Sequence, residues 1–428
     1  MIGLKIYEFI KELFDIPRSI TGEGVRKTLK KIKVKHLKEL KIYEVPSGTK
    51  VGDWVIPKEW NIYDAFIKNE AGERIVDFKK NNLHVLNYCK PVDKKIDLEE
   101  LNSHLYSIPE QPNAIPYVTS YYEEKWGFCM THKQRSKLKN EKYSVYVDSE
   151  LKEGSLTYAD LVIEGKKKDE IFFSTYICHP SMANNELSGP GVSTYLAKFL
   201  SKRSNLFTYR FCFIPETIGA ITYISRNYDN LKNVYAAFNL TCIGDNRAFS
   251  FMPSRSGNTI ADKVARHIIK HHDKNFTEFS YMKDRGSDER QFCSPGINLP
   301  MVSIMKSKYG EYPEYHTSLD DMDFISPEGL MDSYNIHIDC IKLLENNFRY
   351  QSTIYGEPFL SKRGNNYLIV GGKDNEQSRS AKVILDIMTC CDGNSDIIDI
   401  AEKLDIYALE LIPIFEKLKK EKLIKAVD

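Results

Sequence analysis

Apolar runs that end abruptly in polar clusters are the main pattern of the central part of this chain. The clearest run covers residues 171–178 and reads IFFSTYIC, which is typical of a strand covered on both faces. It ends at His179, and the polar cluster Asn184, Asn185 and Glu186 follows shortly after it. Because ligands bind at the carboxyl edge of open α/β sheets, we expect these side chains to lie at a functional site.

Strands and helices alternate over residues 143–350 in the way that a mostly parallel sheet requires. A proline near the first turn of the stretch VSTYLAKFL favours a crossover helix after the first run. The further candidate strands are 160–165 (DLVIEG), 208–214 (TYRFCFI), 234–241 (VYAAFNLT) and 301–305 (MVSIM). The pattern predicts the α/β fold class, with a mixed and mostly parallel sheet flanked by helices.

Changes in this pattern divide the chain into three domains. The N-terminal part holds two helical stretches and a strand-like LKIYEVP, and short β-like pieces with a Pro-rich stretch follow it. Three closely joined helical patterns after Gly356 predict a winged helix. We expect an α/β domain of residues 1–46 and 141–352, an inserted β-rich domain of residues 47–140, and a winged-helix-like domain of residues 357–428.

Charge changes this picture little. The 428 residues include 60 Lys and Arg against 59 Asp and Glu, so no overall field attracts nucleic acid or anionic membrane. Residues 373–428 carry nine basic and twelve acidic side chains, whereas a phosphate-binding surface should be basic. We therefore expect no nucleic-acid partner, and a winged helix that packs on the core or forms a homodimer.

Cysteine usage and the N-terminus indicate the compartment. The nine cysteines include no CxxC pair, which is typical of buried thiols in a reducing cytosol. The N-terminal stretch MIGLKIYEFIKELF has the pattern of an amphipathic helix rather than of a signal peptide or a membrane span. The sequence predicts a cytoplasmic protein without a membrane partner.

Further polar residues follow the other strands. Glu216 comes directly after the strand 208–214, where a carboxylate can act as a general base on a water. Asp288 lies in GSDERQF, and a Tyr-rich loop after the last strand leads to His316. Two histidines and several carboxylates at strand ends are the ingredients of a zinc site with an open position for water.

Each of these features also has a structural interpretation. Glu216 can cap the following helix, because carboxylates favour helix N-termini. The pair Asn184 and Asn185 can satisfy local backbone donors. The loop residues Tyr312 and Tyr315 can line a substrate pocket or pack in the core.

The order of these motifs resembles a known family. His179, then NNELSG, PETIG, SDERQF and YHTSLDD are similar to the motifs of zinc-dependent aminopeptidases with a co-catalytic metal centre. The whole chain is similar to bacterial aminopeptidase-like proteins that carry a small β insertion and a C-terminal winged helix and are often linked to polysaccharide biosynthesis. The resemblance spans essentially all 428 residues.

The resemblance assigns roles residue by residue. It makes His179 and His316 metal ligands and Glu216 the catalytic carboxylate. The metal-bridging Asp of the family falls on Asn185, and two further acidic ligands fall on Thr217 and Thr241. An amide bridges two dications poorly, so the resemblance implies one zinc ion rather than two.

A single ion would be held by His179, His316 and a carboxylate, with Glu186 beside Asn185 as the nearest replacement. Asp245 and Asp288 are weaker candidates for that position. The related fold also supports single-zinc glutaminyl cyclases. Imidazole and carboxylate ligands suit zinc and also permit iron, manganese or cobalt.

Two classes of function follow from the resemblance. The first is a metal-dependent hydrolase of aminopeptidase type with a small peptide or amide substrate, in which Glu216 is catalytic and Tyr312, Tyr315 and Asp288 contact the substrate. An amidase or a deacetylase acting on an amino sugar is as reasonable chemically. The second class is a non-catalytic peptide- or glycan-binding protein on a degenerate peptidase scaffold.

Overall fold

The computed structural model describes residues 1–363 and 376–427. Its helices are, in chain order, α1 (Ile2–Phe14), α2 (Glu23–Lys35), α3 (Leu98–Ser103), α4 (His132–Arg135), α5 (Ser188–Leu200), α6 (Ile218–Leu231), α7 (Ile260–His272), α8 (Tyr281–Asp284), α9 (Glu289–Phe292), α10 (Pro327–Asn346), α11 (Glu376–Cys390), α12 (Ile397–Leu404) and α13 (Ala408–Lys420). A π-helical turn, Ala183–Leu187, precedes α5.

The strands form one large sheet and several small ones. They are β1 (Lys41–Pro46), β2 (Lys50–Val51), β3 (Trp54–Val55), β4 (Glu59–Lys68), β5 (Arg74–Asp77), β6 (Val92–Ile96), β7 (Leu105–Tyr106), β8 (Phe128–Cys129), β9 (Tyr143–Lys152), β10 (Ser155–Ile163), β11 (Glu170–Tyr176), β12 (Thr208–Ile214), β13 (Val234–Asn239), β14 (Ser250–Met252), β15 (Thr277–Glu278), β16 (Met301–Met305), β17 (Arg349–Ser352), β18 (Asp392–Asp396) and β19 (Ile424–Val427).

The large sheet has eight strands in the order β1-β10-β12-β11-β13-β16-β14-β15. Its centre, β12-β11-β13-β16, is parallel. The strands β1 and β10 pair antiparallel with their neighbours, and β14 pairs antiparallel with β16 and parallel with β15. Each of the five predicted strands of this region lies in the sheet. The predicted α/β fold class with a mixed, mostly parallel sheet is confirmed.

Aromatic packing explains why residues 170–176 form the central strand. Every residue of β11 is buried, as the run rich in Phe, Tyr and Ile predicts. The ring of Phe173 stacks on Phe211 of β12 at 4.8 Å and on Phe238 of β13 at 5.2 Å between centroids. Because β11 and β12 run parallel and pair in register up to Tyr176 and Ile214, the residues that follow them emerge at the same sheet edge.

The inserted segment forms an antiparallel sheet in the order β5-β4-β9-β6. Strand β9 pairs with β4 along its whole length, so residues 143–152 join the sheet of the insertion, beyond the boundary expected at residue 140. Their alternating burial is typical of a sheet with one covered face. Residues 82–84 form a 3₁₀ turn, at whose start the Asn81 side chain accepts the N–H of Leu83.

By internal packing the chain divides into two compact units, Met1–Asp262 with Asn275–Asn335, and Lys263–Lys274 with Ile336–Asp428. In the second unit β17 pairs with both β18 and β19, and helices α11, α12 and α13 accompany this small sheet. The sheet therefore begins at residue 349, ahead of the boundary expected at residue 357. No helix in the parts of the chain that the structure describes is both long enough and apolar enough to cross a membrane.

Candidate active site

A cavity of about 340 Å³ opens where β11 and β12 end. Residues from both strand ends, from the N-terminal loop, from the insertion and from α9 line this cavity. Its lining residues are Ile20, Trp54, Tyr121, Tyr122, Cys178, His179, Glu216, Thr217, Ile218 and Arg290.

The imidazole of His179 is held in one orientation. Its Nδ1 lies 3.0 Å from Oε2 of Glu186, and the backbone N–H groups of Cys178 and His179 donate to the same oxygen. The opposite ring nitrogen, Nε2, lies 3.7 Å from Oε2 of Glu216. Burial opposes protonation of His179, but the hydrogen bond and charge of Glu186 outweigh it and raise the pKa of the imidazole. Glu186 thus directs Nε2 of His179 towards Glu216.

Arg18 completes this support, and sequence reasoning missed it. Its Nε donates to Oε1 of Glu186 at 2.7 Å and to the carbonyl of His179 at 2.9 Å, and Nη1 donates to Leu13. Both charged side chains are fully buried. Arg18 comes from the loop PRSITGEG, which has no periodicity, and only its position between two helices set it apart in the sequence.

His316 lies beside His179 in the fold. The two ring centroids are 5.3 Å apart, and the ring of Tyr117 contacts both at 5.1 Å. The backbone of His316 has a left-handed φ of 53°, and its ring stacks on Tyr315 at 3.9 Å. Its Nε2 is buried and has no hydrogen-bond partner among the residues that the structure describes. Burial and the neighbouring charge of His179 hold the pKa of His316 well below its ordinary value.

Glu216 is the carboxylate that the cavity exposes. Its side chain is 23% exposed, whereas that of Glu186 is fully buried. Burial raises the pKa of Glu216, although the charges of His179 and Arg290 oppose the rise. A carboxylate with a raised pKa in a cavity is suited to accept and return a proton.

Asp288 lies beneath this carboxylate rather than on the cavity wall. Its Oδ1 accepts the N–H of Thr217 at 2.7 Å, and its Oδ2 is buried without a hydrogen-bond partner among the described residues. Burial and the charge of Glu216 raise the pKa of Asp288 well above its ordinary value. Asp288 therefore supports the turn that carries Glu216.

Asn185 belongs to a buried network of neutral groups. Its Nδ2 donates to the hydroxyl of Tyr176 at 2.8 Å, and the hydroxyls of Tyr176 and Thr241 lie 2.6 Å apart. Its Oδ1 is buried and finds no hydrogen-bond partner within the described part of the chain. Tyr312 donates to Oδ2 of Asp320 at 3.0 Å, and the same oxygen accepts the backbone N–H of Asn185. Tyr312 thus fixes the turn behind Asn185.

The donors that a divalent ion could use differ in whether they are already engaged by other protein groups. Cys178, His179 and Glu186 offer atoms within 4.8 Å of one another. The carboxylate oxygens of Glu186 are already engaged by Arg18 and by backbone N–H groups, and burial raises the pKa of the Cys178 thiol well above its ordinary value. Three atoms of this region are buried without hydrogen-bond partners among the described residues: Nε2 of His316, Oδ1 of Asn185 and Oδ2 of Asp288. Imidazole nitrogen and oxygen atoms are donors of the kind that divalent ions bind.

Comparisons with known proteins agree with this architecture. A family model described as a domain of unknown function (DUF4910) matches residues 7–347, and a winged helix-turn-helix model matches residues 348–426. A Clostridium acetobutylicum protein, described as a candidate polysaccharide biosynthesis protein with an aminopeptidase-like domain, is 45% identical over 405 residues. These residues are 94% of this chain and 91% of that protein.

Two solved structures extend the comparison. A crystal structure of a candidate peptidase from Clostridium acetobutylicum has 42% sequence identity and a TM-score of 0.93, and the match covers 99% of this chain and 96% of that chain. A zinc aminopeptidase from Bacillus subtilis has 13% identity and a TM-score of 0.57 over 80% of this chain and 94% of its own. At this identity the second likeness shows the fold alone.

Together the fold and the matches define the class, which is an aminopeptidase-type α/β fold followed by a winged helix. The chain belongs to the DUF4910 family. The resemblance to aminopeptidase-like proteins with a C-terminal winged helix is confirmed.

Proposed function

We propose that this protein is a metal-dependent hydrolase of aminopeptidase type that cleaves a peptide or another amide bond. One observation carries the proposal. The Nε2 atom of His316 is buried and without a hydrogen-bond partner among the described residues, and its ring lies beside that of His179. Two neighbouring imidazoles beside an accessible carboxylate are typical of a catalytic metal site.

Different residues of the site would bind the ion, transfer the proton and orient the ligands. His179 and His316 would hold one ion, with the amide oxygen of Asn185 as a neutral third donor. Glu216 would accept the proton of the attacking water and return it to the leaving amine. Glu186 would orient His179 rather than bind the ion, because Arg18 and backbone N–H groups occupy its oxygens. When bound, the ion would polarise the scissile carbonyl and lower the pKa of a water.

A single ion agrees better with the neutral residues of the site than two ions do. Asn185 and Thr241 stand where the resemblance implies acidic ligands, and both share hydrogen bonds with Tyr176. The third such position, Thr217, is occupied by contacts to Asp288 and Arg290. A second dication would find no carboxylate at these three positions. Zinc is the proposed ion, since aminopeptidases of this fold use it.

Elemental analysis of protein purified without a metal-affinity step tests the proposal. The parent should contain or take up about one equivalent of zinc, as a catalytic site with an open position does. His179→Ala and His316→Ala should both lose it. His36→Ala is the matched control, because His36 is half-buried and lies outside the cavity. A parent protein that takes up no zinc, or His variants that keep it, would contradict the proposal.

The three neutral residues also support a second candidate, a binding protein on a degenerate peptidase scaffold. This candidate predicts a parent protein that binds no zinc and still binds small amides in the cavity. Calorimetric titration of metal-free protein with such compounds would separate the two candidates.

The cellular context rests on weaker support. The description of the Clostridium acetobutylicum relative connects that protein with polysaccharide biosynthesis. We extend this context to the present chain, so an amide on an amino sugar stands beside a peptide as the substrate. All nine cysteines are free thiols, in agreement with the proposed cytoplasmic location.

A further inference from the structure

Arg290 brings a positive charge to the cavity that the proposed hydrolysis does not use. Its Nη2 donates to Oγ1 of Thr217 at 2.9 Å. Its side chain is exposed, and it forms no ion pair with any carboxylate in the described parts of the chain. A guanidinium has five N–H donors in a planar fork, so most of them remain available on the cavity side.

The residue that positions Arg290 is strained. Thr217 has φ 62° and ψ −76°, a conformation that β-branched residues rarely adopt. Asp288 accepts a hydrogen bond from the backbone N–H of Thr217, and Arg290 donates one to its hydroxyl oxygen. Such strain persists only where the surrounding contacts enforce it, and it is concentrated at functional sites. The turn after Glu216 is thus fixed with the guanidinium close to the proposed base.

Aromatic side chains also line the cavity. Trp54 and Tyr122 both come from the insertion, and their ring centroids are 5.8 Å apart. Both are partly exposed, at 38% and 51%, although large aromatic side chains are usually well buried. Their ring faces can cover the apolar face of another ring, either an aromatic group or a sugar.

From these observations we infer that Arg290, placed by Thr217, binds a carboxylate of the substrate while Trp54 and Tyr122 cover its ring. The substrate class is an amide that carries a carboxylate and a ring, such as an N-acylated aromatic amino acid or an N-acetylated sugar acid. A planar guanidinium binds a carboxylate through two parallel hydrogen bonds, which selects this anion by shape. The inference rests on the proposed function only for the position of the scissile amide.

Binding to the Glu216→Gln protein tests the inference without turnover. Two pairs of probes differ in the acid group, N-acetylphenylalanine against N-acetylphenylalaninamide, and N-acetylmuramic acid against N-acetylglucosamine. Calorimetry should show that the acid of at least one pair binds roughly tenfold more tightly than its neutral partner, the equivalent of about 1.4 kcal/mol. If the amino acid pair shows the preference, the substrate ring is aromatic. If the sugar pair shows it, the substrate ring is a sugar.

Variants and a chelator assign the preference to Arg290. Arg290→Gln should abolish it and leave the affinity of the neutral probe unchanged. Arg255→Gln, an exposed arginine outside the cavity lining, should preserve it. The preference should also persist in excess EDTA, because it does not depend on a metal. Equal binding of acid and neutral probes in both pairs, or a preference that survives Arg290→Gln, would overturn the inference whether or not the protein binds zinc.

Discussion

Arg18 and Glu186 form a fully buried ion pair behind His179, although 168 residues separate them in the sequence. The pair positions a histidine at the edge of the central sheet. Burying two charges is costly, and removal of one partner leaves the other unpaired in a medium of low dielectric. The N-terminal loop is therefore part of the site and not only a connection between α1 and α2.

Substitution of Arg18 should affect both stability and the site. Arg18→Met leaves the carboxylate of Glu186 buried without its cation, and we expect a loss of about 3–5 kcal/mol in the free energy of unfolding. Arg18→Lys keeps a charge but lacks the guanidinium geometry, so its free energy of unfolding should lie between those of the parent and of Arg18→Met. Urea unfolding measures both variants. A change below about 1 kcal/mol in Arg18→Met, the range of an exposed pair, would show that the ion pair contributes little.

Glu216→Gln should abolish turnover and retain the metal. The amide of Gln cannot accept the proton of the water, so kcat measured with a cleaved substrate should fall by roughly 10²–10⁴-fold. Zinc content, measured on the same preparation, should equal that of the parent. Full activity in this variant would exclude Glu216 as the base.

The activity of the parent should also depend on the ionisation of Glu216. Burial raises the pKa of this carboxyl above its ordinary value of 4.5. Since only the carboxylate can accept a proton, the rate should decrease with falling pH through a midpoint above 4.5. A pH–rate profile that stays flat down to this value would contradict the assignment.

Gly189 allows α5 to approach the sheet closely. A Cβ at this position would lie 2.3 Å from the carbonyl oxygen of Leu240 and 2.3 Å from Oγ1 of Thr175. Gly189→Ala should therefore destabilise the protein by about 1–3 kcal/mol. Gly296→Ala is the control, because nothing lies within 4 Å of its added Cβ. Equal unfolding midpoints for the two variants would disprove the close packing.

His267 should make the second unit sensitive to acid. Its Nε2 accepts the N–H of Ala408 at 2.9 Å, and its Nδ1 lies 2.5 Å from Oε1 of Glu402. Burial lowers the pKa of His267, although Glu402 partly opposes the shift. The unfolded chain then binds a proton more readily than the folded chain, so this group contributes stability above pH of about 6.5 that is lost as the pH falls.

Amide hydrogen exchange of α12 and α13 at several pH values measures this effect. Protection of these helices should decline below a pH of about 6.5 in the parent. In His267→Gln the decline should be smaller, because that side chain does not titrate. Identical pH dependence in parent and variant would show that His267 is not the responsible group.

Much of the fold follows from local sequence patterns. The strand 170–176 could be predicted from the run 171–178, because that run is rich in Phe, Tyr and Ile. His179 and Glu216 could be placed together because they follow adjacent parallel strands. The strand 143–152 could not be assigned to the insertion from its alternation alone, since that assignment depends on pairing with residues far away in the sequence.

Local sequence patterns do not predict the residues that support the site. Arg18, Tyr117 and Arg290 come from loops or from a four-residue helix, so no periodicity marks them. The role of Glu186 depends on its partner. From the sequence, a carboxylate beside Asn185 is a candidate metal ligand, but in the structure Arg18 donates to one of its oxygens. Sequence positions thus indicated His179 and Glu216 at the cavity, and the roles of Arg18 and Glu186 depend on long-range hydrogen bonds.

Anomalous X-ray diffraction at the zinc edge, from crystals grown with zinc, would locate the proposed ion. We expect one anomalous peak within bonding distance of Nε2 of both His179 and His316. Two peaks separated by about 3.5–4 Å would indicate a co-catalytic pair instead. A peak bound by Cys178 and Glu186, or no peak near His316, would contradict the proposed site.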